Sequence, residues 1–145
     1  MKEFISKSLE ETQTFAKEFV SSLSTYEDSA LIIGLYGNLG SGKTALTQAV
    51  AKEIGIKETV TSPTFVIEKI YETKHSHFIR FIHIDAYRLE KAEELQVLNF
   101  EELVENRHNL IFIEWPENVK EIIPENHRKI FCEFVDETTR KFEVQ

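Results

Sequence analysis

Apolar positions recur along this chain first at a helical and then at an extended period. Phe15, Ala16, Phe19, Val20 and Leu23 share one helical face, which predicts a helix over 8–22. Ser8 stands before it as an N-cap, and Glu11 completes a capping box. A near-continuous apolar run over 30–36 predicts a parallel strand buried on both faces. Ala45, Leu46, Ala49, Val50 and Ile54 predict a helix over 43–54, closed by Gly55. Strands are expected over 65–71 and 78–85, antiparallel about a turn at 73–76. A helix is expected over 89–98, with Leu95 and Leu98 apolar, ending at Asn99, a residue type that tolerates left-handed backbone. A short helix follows over 100–104, then a buried strand over 110–114 that Pro116 ends. A helical turn over 119–123 stops at Pro124, and residues 128–135 and 141–144 make a terminal hairpin turned at 136–139. Residues 3–6 suit one more short strand.

The stretch between the apolar strand and the second helix organises the rest. Gly37-Asn38-Leu39-Gly40-Ser41-Gly42-Lys43-Thr44 fits G-x-x-x-x-G-K-[ST] at every fixed position, with a strand before it and the helical pattern that begins at Ala45 after it. A phosphate chain has to be wrapped by backbone N–H groups, so the loop needs residues without a Cβ where it curls. It ends at a helix N-terminus, where unpaired N–H groups and the helix dipole favour an anion. Lys43 can reach β- and γ-phosphates, and the Thr44 hydroxyl can ligate Mg²⁺. A glycine-rich turn that binds nothing is the plainer alternative, but motif, strand and helix agree.

Composition narrows what such a loop could serve. The chain has 145 residues, enough for one domain with one core. Its net charge of −8 argues against broad electrostatic binding of DNA or RNA. No apolar run approaches the roughly 20 residues of a membrane helix. The opening Met1–Ser6 meets acid at Glu3, unlike a signal peptide. Cys132 is the sole cysteine, which suits a reducing compartment, and a cytoplasmic protein is expected.

Turnover needs acids beside the phosphates. Two apolar strands end in a carboxylate, Ile82-His83-Ile84-Asp85 and Ile111-Phe112-Ile113-Glu114. Ligands of open α/β sheets sit at the C-terminal ends of strands, so both acids are expected to face the loop. One could hold Mg²⁺ and the other orient an attacking water. Arg88 could neutralise transition-state charge or make a surface ion pair. Thr61, Ser62 and Thr64 surround Pro63, either as a loop entering a strand or as a loop sensing the γ-phosphate or metal. His83, inside an apolar strand, reads as a satisfied core histidine rather than a general base. Trp115 could wall the site, pack in the core or meet a partner. Cys132 reads as a small buried hydrophobe.

Taken in order, the phosphate loop, Ser62-Pro63-Thr64-Phe65, His83-Ile84-Asp85-Ala86-Tyr87-Arg88-Leu89, Glu93-Glu94-Leu95 and Ile113-Glu114-Trp115-Pro116 resemble the bacterial TsaE (YjeE) family. The resemblance runs from about Ser6 to Val135. It implies an α/β P-loop NTPase fold in three layers, with a central mixed sheet and antiparallel edge strands, filling 1–145 as one domain. It implies an ATPase that binds ATP or ADP with Mg²⁺, hydrolyses ATP slowly, and supports threonylcarbamoylation of adenosine 37 in tRNAs reading A-starting codons. The implied partner is the TsaB–TsaD pair, with tRNA met indirectly and the free chain monomeric. Carried over by position, Lys43, Asp85 and Glu114 are the catalytic residues, and Thr44, Glu114 and Asp85 serve the metal. Nucleotide contacts are expected from Ser8, the loop from Gly37 through Thr44, Ala45, Ser62, Thr64 and Arg88. Two positions depart from the family pattern: Asn99 where glycine is usual, and Ser41 where alanine is common.

Three rivals share the loop. A small-molecule kinase would need an acceptor pocket and a basic lid, and no Arg-rich insertion is present. A GTP switch would need a guanine-reading N-K-x-D stretch, which is absent. A nucleotide-gated binding module differs only in whether turnover matters.

Overall fold

Chain order and strand order differ, and the difference builds the site. The structure, a computed structural model, describes residues 2–60, 68–89, 94 and 99–145. The strands are β1 (Lys2–Ser6), β2 (Leu31–Tyr36), β3 (Glu68–Glu72), β4 (Arg80–Asp85), β5 (Asn109–Glu114), β6 (Arg128–Phe134) and β7 (Arg140–Val144). Among the described residues they form one sheet in the order β1-β7-β6-β2-β5-β4-β3. The middle four, β6, β2, β5 and β4, run parallel. β7 and β1 extend one side antiparallel, and β3 pairs antiparallel with β4 on the other. This is the mixed sheet with antiparallel edges that the motifs imply.

Two layers cover the sheet. Helices α1 (Leu9–Ser21) and α2 (Lys43–Glu53) lie on one face. Phe15, Phe19, Leu46 and Val50 join Ile33, Leu35, Phe112 and Phe142 in the larger core there. The ring centroids of Phe15 and Phe142 are 5.2 Å apart, so α1 is packed directly on β7. The other face, with Ile32, Ile82, Ile84, Ile111 and Ile113, packs against Leu89, Phe100, Val119 and Ile123. Buried side chains on both faces explain why β2, β4 and β5 read as continuous apolar runs.

Local signals set the helix ends. The Ser8 side chain accepts from the Glu11 N–H at 3.1 Å, as a capping box requires. The return bond differs: Glu11 Oε1 accepts from the Lys7 N–H, one residue before the cap, at 3.0 Å. Gly55 (φ 84) closes α2, with the Ile56 N–H donating to the Ala51 carbonyl at 3.0 Å. Asn99 takes left-handed backbone (φ 60, ψ 35) just before helix α3 (Phe100–Val104). The helical turn expected at 119–123 is present, with the Ile122 N–H donating to the Val119 carbonyl at 3.1 Å, and a 3-10 helix over Pro116–Val119 leads into it. Proline at its first position has φ preset for helix and no N–H to satisfy, so it starts the turn instead of only ending the strand. The first residues of the expected strand over 65–71 fall outside the described residues. So does nearly all of the expected helix over 89–98, of which Glu94 alone is described as helical.

Candidate nucleotide site

The loop between β2 and α2 bends through three positive-φ glycines, Gly37 (φ 149), Gly40 (φ 79) and Gly42 (φ 101). Gly37 also admits a close approach: a Cβ there would lie 2.4 Å from the Cys132 carbonyl oxygen and 2.6 Å from Ser41 Oγ. Gly42 is the N-cap of α2 and offers no side-chain acceptor, so the first N–H groups of the helix are left for a ligand. The Ser41 hydroxyl is buried and has no hydrogen-bond partner among the described residues.

Lys43 opens α2 and is only 5% exposed. Its ammonium donates to the Gly37 carbonyl, and Nζ lies 3.8 Å from the centroid of the Trp115 ring. Burial pulls the Lys43 pKa down, and Glu114 opposes that most among the nearby groups. Trp115 holds its ring there from left-handed backbone, φ 57 and ψ 49. For a bulky residue that conformation costs about 1–2 kcal/mol, which its packing against Lys43 and Tyr87 has to offset.

The two strand-end acids are register partners. β4 and β5 run parallel with Asp85 opposite Glu114, although 28 residues of chain separate them. The Tyr87 N–H donates to Asp85 Oδ1 at 3.0 Å. Asn118 Nδ2 donates to the Ala86 carbonyl at 2.9 Å and so ties the 3-10 helix to the turn after Asp85. Glu114 is 3% exposed, and its Oε2 accepts from His83 Nε2 at 2.7 Å.

A cavity of about 950 Å³ opens over these groups. It is lined by Ser8, Leu39, Gly40, Ser41, Gly42, Lys43, Thr44, Ala45, Asp85, Arg88 and Glu114 of the expected set. Gly37 and Asn38 line a different cavity, of about 720 Å³, together with Cys132 and Phe134. Ser62 and Thr64 lie outside the described residues. Arg88 is exposed at the cavity edge and makes no ion pair among the described residues.

Several lining residues carry no motif. Ser6, Lys7, Leu9 and Thr12 come from the β1–α1 junction, and Glu137, Thr138, Arg140 and Phe142 from the last hairpin. Ser6 Oγ donates to the Ser8 carbonyl at 2.8 Å, so in its 2.7 Å contact with Thr12 the Thr12 hydroxyl is the donor. Arg140 packs its stem over Gly42, where a Cβ would meet Arg140 Cγ at 3.2 Å. The sequence marked 136–139 only as a turn; sheet order delivers it to the loop. Cys132 is buried, and burial pushes its thiol up to about 12, so it stays an unreactive apolar group.

His83 differs from its expected role as a satisfied core histidine. It is fully buried, and only one ring nitrogen is satisfied: Nδ1 has no partner among the described residues.

The oxygen donors beside the loop, one hydroxyl and two carboxylates, suit a hard cation. Among the described residues no group of three or more His, Cys, Asp or Glu forms a ready-made metal cage. A cation here would draw part of its shell from phosphate oxygens and water, the usual habit of Mg²⁺.

A strand, a glycine loop carrying Lys-Thr at a helix start, and acids at the ends of adjacent parallel strands define a P-loop nucleotide-binding protein. The model of the family described as "Threonylcarbamoyl adenosine biosynthesis protein TsaE" matches residues 6–142, and the chain belongs to that family. Its relatives include the tRNA threonylcarbamoyladenosine biosynthesis protein TsaE of Rickettsia bellii, 34% identical, with 94% of this chain and 89% of the relative covered. The Aquifex aeolicus protein of the same name is 34% identical, with 90% and 94% covered. The crystal structure of Bacillus subtilis YdiB superposes with a TM-score of 0.72 at 22% identity, covering 99% of this chain and 83% of that one, a likeness of fold. No helix among the described residues is long and apolar enough to cross a membrane.

Proposed function

We propose that the chain is a Mg²⁺-dependent ATPase that supports threonylcarbamoylation of adenosine 37 in tRNAs reading A-starting codons, acting with a TsaB–TsaD pair. One observation carries the chemical part: Lys43 and Thr44, at the start of α2, share a cavity with the register-paired acids Asp85 and Glu114.

The N–H groups at the start of α2 and the Lys43 ammonium bind the β- and γ-phosphates. To do so Lys43 leaves the Gly37 carbonyl and trades a neutral acceptor for anionic oxygens. Thr44 and Glu114 would hold Mg²⁺, with Asp85 beside them supporting the metal or the water. When bound, the cation supplies charge neutralisation at the phosphate oxygens. Water adds to the γ-phosphorus as the bond to the bridging oxygen breaks, which yields ADP and inorganic phosphate. Arg88, which also lines the cavity, supplies a cation to neutralise charge that develops in the transition state. With a net charge of −8, contact with tRNA falls mainly to the partners.

The test is ATP hydrolysis by the pure chain, alone and with a TsaB–TsaD pair, with Lys43→Ala as control. Stimulation by the pair that Lys43→Ala abolishes supports the whole reading. Bound ATP without stimulation removes the partnership, and phosphate transfer to a metabolite would make the chain a small-molecule kinase. Unchanged ATP affinity in Lys43→Ala would remove the nucleotide site itself.

A further inference from the structure

We infer that His83 is the positioning residue for the Glu114 carboxylate: it ties one carboxylate oxygen from behind and leaves the other to serve the cavity. This rests on the reading of Glu114 as a metal-side acid.

The argument begins with the strand pair. His83 stands two residues before Asp85 on β4, and β5 runs beside it in parallel. The side chain of His83 is fully buried, and that of Glu114 nearly so. Their contact, Nε2 to Oε2, is 2.7 Å, short for a nitrogen donor and typical of one bonded to a carboxylate. A carboxylate has only acceptor oxygens, so Nε2 carries the proton.

A merely structural histidine in an apolar strand would be expected to satisfy both nitrogens. This one leaves Nδ1 without a partner among the described residues and commits its other nitrogen to the acid that lines the cavity. An apolar residue would fill the strand without leaving a polar atom bare. What only the imidazole supplies is a directed N–H on Oε2. That bond fixes the rotation of the carboxylate and removes one of its two oxygens from competition for a cation. Groups that orient metal ligands from behind typically change metal affinity by about 10–100-fold when removed.

The test uses the full chain, with Mn²⁺ as a paramagnetic probe in the presence of ADP and nucleotide affinity measured separately in EDTA. His83→Leu removes the N–H, while His83→Gln keeps one at similar reach. We expect His83→Leu to weaken Mn²⁺ binding about tenfold or more. ADP affinity in EDTA should stay within about twofold, and His83→Gln should recover most of the Mn²⁺ affinity. In a Glu114→Gln background, His83→Leu should cost nothing further, because its effect runs through that carboxylate. Unchanged Mn²⁺ affinity in folded His83→Leu, or an equal loss of metal-free ADP affinity, overturns the inference. If His83→Leu does not fold, His83→Gln decides: Mn²⁺ affinity near the parent's supports a donor role, and a loss as large as that of Glu114→Gln overturns it. Should Glu114→Gln itself leave Mn²⁺ affinity unchanged, the metal role of Glu114 fails first, and the two failures are thereby distinguished.

Discussion

The Lys43 ammonium lies 3.8 Å from the centre of the Trp115 ring while it donates to the Gly37 carbonyl of the phosphate loop. Trp115 is the only tryptophan in the chain, so its emission reports on this one site. A nucleotide that recruits Lys43 to its phosphates removes a cation from the ring face. ADP titration should therefore change the tryptophan emission, with the change absent in Lys43→Ala. An emission insensitive to saturating ADP would show that the lysine does not leave the ring.

Glu114 and Lys43 should separate binding from turnover. Glu114→Ala removes an acid from the cavity but leaves the loop and the start of α2 untouched. ATP turnover is expected to fall on the order of 100-fold, with ADP affinity in EDTA nearly unchanged. Equal turnover in the variant would make Glu114 a structural residue.

The loop glycines are not equivalent. At Gly37 a methyl would strike the Cys132 carbonyl, a backbone atom with little room to move, in a positive-φ conformation. Gly37→Ala is expected to cost about 2–3 kcal/mol in denaturant unfolding. Gly40 has φ 79 but nothing within 4 Å of a Cβ, so Gly40→Ala should cost only its backbone strain, about 1 kcal/mol. The reverse ranking would contradict the geometry.

Glu68 gives a pH-dependent test of stability. Burial pushes its carboxyl up to about 6 from an ordinary 4.5. Between those values the folded chain holds more protons than the unfolded one, so stability drops as pH rises through that window and stays lower above it. Glu68→Gln keeps the shape and removes the charge. Thermal melts should show the variant above the parent at about pH 7.5, with the difference closing by about pH 4. A pH-independent difference would sink the explanation.

Where the chain's own signals were local, the structure follows them closely. Ser8 caps α1, Gly55 closes α2, and Asn99 takes left-handed backbone. Each depends on one residue's own conformational preference or on a bond within a turn. Pro116 both ends the strand, as its sequence position suggests, and starts a turn, where the left-handed Trp115 before it redirects the chain. Signals of that kind carry no information about distant neighbours, which is why His83 reads from sequence as an ordinary core residue and nothing local marks Arg140 as a neighbour of the loop.

The sequence alone therefore determined the phosphate loop, the helix that follows it and the two acids at strand ends, since glycine φ freedom and apolar period act over a few residues. Tertiary structure decided which of these meet. β5 lies between β2 and β4, which makes Asp85 and Glu114 register partners and puts His83 beside Glu114. β7 beside β6 brings Arg140 over Gly42, and β1 beside β7 brings Leu9 to the cleft. Strand order is set by how two helices and the opposite layer bury both faces of one sheet, a balance over the whole core that no short stretch of sequence contains.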